Sequence, residues 1–174
     1  MHTLKYLAKA DSLNDIEAIR DKLSAEDALL VGEYGSLLPL AFFAELRKLP
    51  CEKILYEMTA RNKNRDVVRS SIITAYTLGF DGVVIASGQF RKGDNMARPV
   101  YDLDPAQMLN MMMHLQMDRV MSTSFLIGVR APVGSEAAKA RARYYLENGA
   151  DLLVIGKNDA PAGTTKKTVI LEEL

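Results

Sequence analysis

Residues 53–87 read KILYEMTARNKNRDVVRSSIITAYTLGFDGVVIAS, and this stretch decides the fold. Its ends are apolar runs of strand length, residues 53–59 and 82–87. The second carries Val83, Val84, Ile85 and Ala86 without alternation, which suits a parallel strand covered on both faces. Between them, Asn64 stands where a helix N-cap belongs, and Val68, Ile72, Ala75 and Tyr76 recur at helical spacing. Gly79 supplies the C-terminal stop. Only residues 78–82 return the helix to the next strand. A strand, a helix and a strand joined this tightly make a right-handed βαβ unit.

The same alternation runs outward in both directions. Further strands are expected at residues 3–8, 28–33, 124–129, 151–155 and 168–171. Ser12 with Asp15 forms a capping box ahead of a stripe of Ile16, Ile19 and Leu23. Ser36 opens a second helix through Phe42, Phe43 and Leu46, which Pro50 stops. The run Asp104-Pro105-Ala106-Gln107 combines an N-cap, a first-turn proline and a capping glutamine. Ser135 starts the last helix and Gly149 ends it. Residues 156–167 separate the last two strands and include Pro161 and Gly163. A parallel crossover needs a dozen or more residues and usually a helix. The final strand is therefore expected to run antiparallel, to leave the sheet, or to pair with another chain.

The chain has 174 residues, with 22 basic and 22 acidic side chains. Apolar residues make up 48% and charged residues 25%, values of an ordinary globular domain. The whole chain, residues 1–174, reads as one domain. It is short for an eight-unit α/β barrel, which typically needs about 250 residues. Zero formal charge gives no global field for nucleic acid or anionic membrane. No apolar run approaches the roughly 20 residues of a membrane span. The single Cys51 and the two histidines, His2 and His114, assemble neither a disulfide nor a zinc site, so no metal site is expected. With no signal-like N-terminus, a reducing cytoplasm is the expected setting.

In parallel α/β folds, ligands collect beyond the carboxyl ends of the strands. The polar residues expected there include Glu33, Tyr34, Gly35, Glu57, Thr59, Arg61, Asn62, Ser87, Gly88, Gln89 and Arg130. Residues 88–103 form the longest connection, carrying Arg91, Lys92 and Arg98. Neither GxGxxG nor a P-loop is present. Six methionines between Met108 and Met121 read as a helix packed on the sheet and spreading onto a second buried face. His114 within it reads as a core or interface histidine.

The middle of the chain resembles the methylenetetrahydrofolate reductase family. Glu57-Met58-Thr59 followed by Arg61-Asn62-Lys63-Asn64 is similar to its His-Leu-Thr and Arg-Asp-Arg-Asn motifs. Val100-Tyr101-Asp102-Leu103-Asp104-Pro105-Ala106-Gln107 is similar to its Val-Tyr-Asp-Leu-Asp-Ser-x-Gln. The likeness spans roughly residues 28–156. It implies a TIM-type barrel, here incomplete, with about six parallel βα units plus a C-terminal extra strand. It further implies FAD or FMN at the rim, contacted by Tyr34, Gly35, Thr59, Gly88, Tyr101 and Arg143. Glu57 and Gln89 fall at the family's catalytic positions, where the family has His and Asp. The first strand lacks the family's glutamate, and its folate-contacting glutamine falls at Gly156.

The expected activity is that of a divergent, flavin-dependent reductase of folate one-carbon metabolism. The alternatives are a non-catalytic flavin- or pterin-binding accessory subunit of a larger enzyme and a flavin-free pterin methyl-transfer module. The missing units leave two sheet edges, which the C-terminal strand or a second subunit is expected to cover. A homo-oligomer or a larger complex is expected accordingly.

Overall fold

The computed structural model describes residues 4–33, 38–88, 101–131, 134–156 and 168–174. Seven strands form one closed barrel: β1 (Leu4–Leu7), β2 (Ala28–Gly32), β3 (Lys53–Thr59), β4 (Gly82–Ala86), β5 (Leu126–Arg130), β6 (Leu152–Ile155) and β7 (Thr168–Glu173). Neighbours in sequence are neighbours in space, and every pair is parallel. The helices are α1 (Leu13–Glu17), α2 (Phe43–Leu46), α3 (Arg65–Leu78), α4 (Pro105–Met117) and α5 (Glu136–Glu147).

The unit read from residues 53–87 forms as expected. Asn64 Oδ1 accepts the Val67 amide at 2.9 Å, and Gly79 ends α3 in the left-handed region at φ 98°. Asp104 and Gln107 cap α4 reciprocally, and Ser135 caps α5. The first helix is shorter than expected. It ends at Glu17, and a 3-10 turn at Arg20–Lys22 carries the chain on. Ile19 and Leu23 are buried all the same. The second helix begins as a 3-10 turn at Pro39–Phe42 before α2; Ser36, its expected start, lies outside the described residues.

The direction of β7 corrects the expectation of an antiparallel, detached or intermolecular strand. It lies parallel between β6 and β1, with Val154 opposite Val169 and Leu4 opposite Leu171. Twelve extended residues reach roughly 40 Å, several times the length of the four-residue β6. The connection of residues 156–167 is thus long enough for a parallel return. Both edges that six strands would expose are covered within the chain, as one of the two expected routes has it. No oligomer is needed for closure.

Alternation sorts the side chains into two layers. Leu4, Tyr6, Ala28, Leu30, Leu55, Val84, Leu152, Val154 and Val169 fill the barrel. The opposite face packs against the helices through Leu29, Val31, Ile54, Tyr56, Val83, Ile85, Ile127 and Val129. On α4, Met108, Leu109, Met112 and Leu115 are buried against the sheet. Met117 is 71% exposed, and His114 is exposed rather than in the core.

Two glycines permit the close packing of the interior. A Cβ on Gly82 would lie 2.5 Å from the Leu126 carbonyl oxygen. One on Gly128 would lie 2.8 Å from Leu152 and 2.9 Å from Val84. At the amino end, two aspartates tie strands together. Asp81 accepts the Ile54 amide and Asp151 the Ile127 amide, both at 2.8 Å.

Candidate functional site at the carboxyl end of the barrel

The strands stop being apolar as they reach the carboxyl end. On β3, Leu55 is followed two residues later by Glu57 and then Thr59, all on the inward face. Glu57 is 0% exposed. A carboxylate at such a depth survives only with a compensating charge and hydrogen bonds. Arg130, the last residue of β5, supplies both. Its Nη1 donates to Glu57 Oε1 at 3.0 Å and Oε2 at 3.1 Å, and to the Tyr6 hydroxyl at 3.1 Å. The guanidinium also lies over the Tyr6 ring, 4.9 Å from its centroid, a cation–π arrangement.

The electrostatics follow from this packing. Burial pushes the Tyr6 phenol well above its ordinary range, and the nearby Glu57 carboxylate adds to the shift. For Arg130, burial works against the charged form, but Glu57 and Tyr6 together, through charge and hydrogen bonds, outweigh it and the guanidinium is held even more firmly protonated. The triad is therefore a fixed unit: one cation, one anion and a neutral phenol.

A second carboxylate lies between the ends of β2 and β3. Glu33 accepts the Thr59 amide at 2.9 Å and the Thr59 hydroxyl at 3.1 Å. The Tyr56 hydroxyl and Lys63 Nζ donate to it as well. Lys63 Nζ also donates to the Thr59 carbonyl at 3.0 Å. The Glu33 side chain is 5% exposed. The Tyr56 phenol is pushed up by burial and by Glu33.

Beside the triad, an open cavity of about 370 Å³ lies between the ends of β4 and β5 and the helices α4 and α5. Ser87, Arg130, Arg141, Tyr144 and Tyr145 line it, together with the first turn of α4. Among the described residues, neither Nε nor Nη2 of Arg130 makes a hydrogen bond. The Arg141 guanidinium and the Ser87 hydroxyl make none there either. Burial raises the Tyr145 phenol, against the pull of Arg141. The Asp104 carboxylate, whose Oδ1 accepts the Gln107 amide, also lines the cavity, so its two guanidinium residues and its hydroxyl donors offer a setting for an anion beside one acidic group.

The expected site residues divide accordingly. Thr59 and Gly88 approach each other at the carboxyl end, and Glu57 lies two residues deeper along β3. Gly88 sits at φ 85°, and a Cβ there would lie 3.1 Å from Arg61 Cβ and 3.3 Å from Thr59 Cβ. Tyr101 is 48% exposed, next to Asp102, which accepts the first amide of α3 at 2.7 Å. Arg143 is an exposed residue in the second half of α5. Tyr34, Gly35 and Gln89 lie outside the described residues. Sequence reasoning missed Tyr6, Lys63 and Arg141. Tyr6 carried a signal: it shares the inward parity of Leu4, one pleat repeat before.

No protein-family model matches the sequence, and no curated protein matches it. Solved structures do. A phosphonopyruvate hydrolase in complex with oxalate and Mg2+ superposes with a TM-score of 0.58 at 14% identity, over 88% of this chain and 58% of that one. A 2,3-dimethylmalate lyase of the PEP mutase/isocitrate lyase superfamily superposes with a TM-score of 0.57 at 9% identity, over 98% of this chain and 75% of that one. The chain therefore spans little more than half the length of the hydrolase.

These findings correct the methylenetetrahydrofolate reductase reading. With it go the FAD or FMN cofactor, the folate substrate, the oxidoreductase activity and the flavin- or pterin-binding accessory role. The motifs that carried that resemblance have structural work of their own here. Asn64 caps α3, Asp104 and Gln107 cap α4, and Glu57 is bound by Arg130.

Mg2+, present in the hydrolase complex, asks for several hard oxygen ligands in near-octahedral array. Among the described residues, no three Asp, Glu, His or Cys side chains gather to hold a metal. Both oxygens of Glu57 already accept from Arg130, and Glu33 accepts from four donors. The described residues do not fit the ion. What the chain shares with the two solved structures is the fold, a parallel α/β barrel ringed by helices.

Proposed function

We propose that the carboxyl-end mouth binds a small carboxylic acid of the 2-oxo or 2-hydroxy class, as the site of chemistry beside its carboxyl group. One observation carries this reading. Arg130 is anchored through Nη1 to Glu57 and Tyr6, and the same residue lines an open cavity. A planar fork held on one side is ready to take a carboxylate on the other. The fold agrees with it. The two superposed enzymes are named for phosphonopyruvate, a 2-oxo acid, and dimethylmalate, a 2-hydroxy acid.

In this reading Arg130 is the anchor, and Glu57 is a positioning residue that fixes the guanidinium plane. Arg141, the Ser87 hydroxyl and the Tyr145 hydroxyl serve the remaining polar groups of the ligand. Preorganisation of this kind lowers the ordering cost of binding.

Calorimetric titration with oxalate, pyruvate and malate tests the reading. Wild-type protein is expected to bind at least one of them. Arg130→Lys, which keeps the charge but loses the fork, is expected to weaken binding by about tenfold or more. Arg141→Ala, on an exposed position, is expected to weaken it less. Absence of binding by all three acids, or unchanged affinity in Arg130→Lys, would overturn the proposal.

A further inference from the structure

We infer that the mouth holds its anionic ligand with fixed side-chain cations in place of a divalent metal ion. This rests on the carboxylate-binding reading above and goes beyond it by assigning what neutralises the ligand.

The argument begins with the two buried carboxylates of the mouth. A divalent ion at the end of a barrel needs such groups with lone pairs to spare. Glu57 has both oxygens committed to one guanidinium. Glu33 accepts from an ammonium, a phenol, a hydroxyl and an amide. Each carboxylate is thus already neutralised by a cation of the chain, Arg130 for Glu57 and Lys63 for Glu33. A divalent ion entering beside either would meet a part-buried positive charge, and the reduced local dielectric strengthens that repulsion.

The donors on the cavity side complete the picture. Arg130 and Arg141 line the same cavity, and the one carboxylate that joins them there, Asp104, is engaged through Oδ1 by the Gln107 amide. Guanidinium groups neutralise carboxylate oxygens through directed hydrogen bonds and do not leave with a chelator. The carboxylate–guanidinium pair of β3 and β5 is thus the permanent counterpart of a metal centre.

Two measurements on the full chain decide the matter. Oxalate is titrated by calorimetry in EDTA and again with excess Mg2+, with free oxalate corrected for its own Mg2+ complex, and affinities agreeing within about twofold are expected. Tightening by about tenfold or more on adding Mg2+ would overturn the inference. Separately, Mn2+ is titrated without oxalate and followed by electron paramagnetic resonance. The spectrum of the free ion is expected to persist. A bound-ion signal that Glu57→Gln or Glu33→Gln abolishes would overturn the inference, whatever oxalate does. Failure of oxalate to bind in either buffer counts against the carboxylate reading alone, and the Mn2+ titration then decides the inference by itself.

Discussion

Arg130 at the end of β5 and Glu57 on β3 meet across the barrel interior, over the intervening β4, with Nη1 3.0 Å and 3.1 Å from the two carboxylate oxygens. Glu57 is 0% exposed and Arg130 28% on their side chains. Removing one partner strands the other as an uncompensated buried charge, at a cost of about 3–5 kcal/mol. Arg130→Met and Glu57→Leu are each expected to destabilise the protein by that amount in urea unfolding. The double variant, which removes both charges, is expected to lie closer to wild type than either single variant. Additive losses would show that the two groups do not act as a pair.

The glycines that let the strands pack make a second contrast. A Cβ at position 82 would strike the Leu126 carbonyl, which belongs to the backbone of the neighbouring strand. At position 128 it would strike the side chains of Leu152 and Val84, which have rotamers to use. Overpacking of this kind costs about 1–3 kcal/mol. Gly82→Ala is expected to fall at or above the upper end of that range and Gly128→Ala below it, measured by chemical denaturation. Equal losses would mean that the barrel gives at β4 and β5 as readily as its side chains do.

Much of this architecture was legible because it is written locally. Asn64, Gly79, Asp104, Gln107 and Ser135 act on their own turns, and each does in the structure what its residue type requires. The apolar runs of β3, β4 and β6 likewise carry their burial in sequence. The direction of β7 was hidden because the length of a connection bounds its reach without choosing a direction. The ion pair was hidden for another reason. Glu57 and Arg130 lie 73 residues apart, and they meet only because the barrel sets β3 and β5 on either side of β4. The same local motifs also carried a family resemblance. Capping and turn residues report how a βαβ unit is built, and barrels of different chemistry share those units.

Asp15 gives a pH-dependent prediction. Its carboxylate accepts the amides of Asp11 and Ser12, each at 2.8 Å. The hydrogen bond from the Asp11 amide, with those from Ser12, holds its pKa below the ordinary aspartate value. A carboxyl group depressed in the folded state adds stability above its unfolded pKa and loses it as the pH falls through the folded value. Wild type is therefore expected to melt higher than Asp15→Ala at neutral pH. The gap is expected to narrow below about pH 4. A gap that stays constant down to pH 2 (about two units below the unfolded value) would mean that the ionised carboxylate does not carry the difference.

Cys51 precedes β3 at the amino end of the barrel and is half-buried. Burial raises its thiol pKa above the ordinary value, and the neighbouring Arg47 only partly opposes the shift. The reactive species is the thiolate. A raised pKa lowers the thiolate fraction at every pH below it, so the folded protein is expected to react with a water-soluble disulfide reagent more slowly than urea-unfolded chain at pH 8 (roughly half a unit below an unperturbed thiol). The folded-state rate is expected to climb with pH through a midpoint above that of the unfolded chain. Substituting Arg47→Ala removes a nearby charge that favours the thiolate and is expected to slow labelling further. Labelling of the folded protein at the unfolded rate would mean that Cys51 reacts from an open conformation in which neither burial nor Arg47 acts on it.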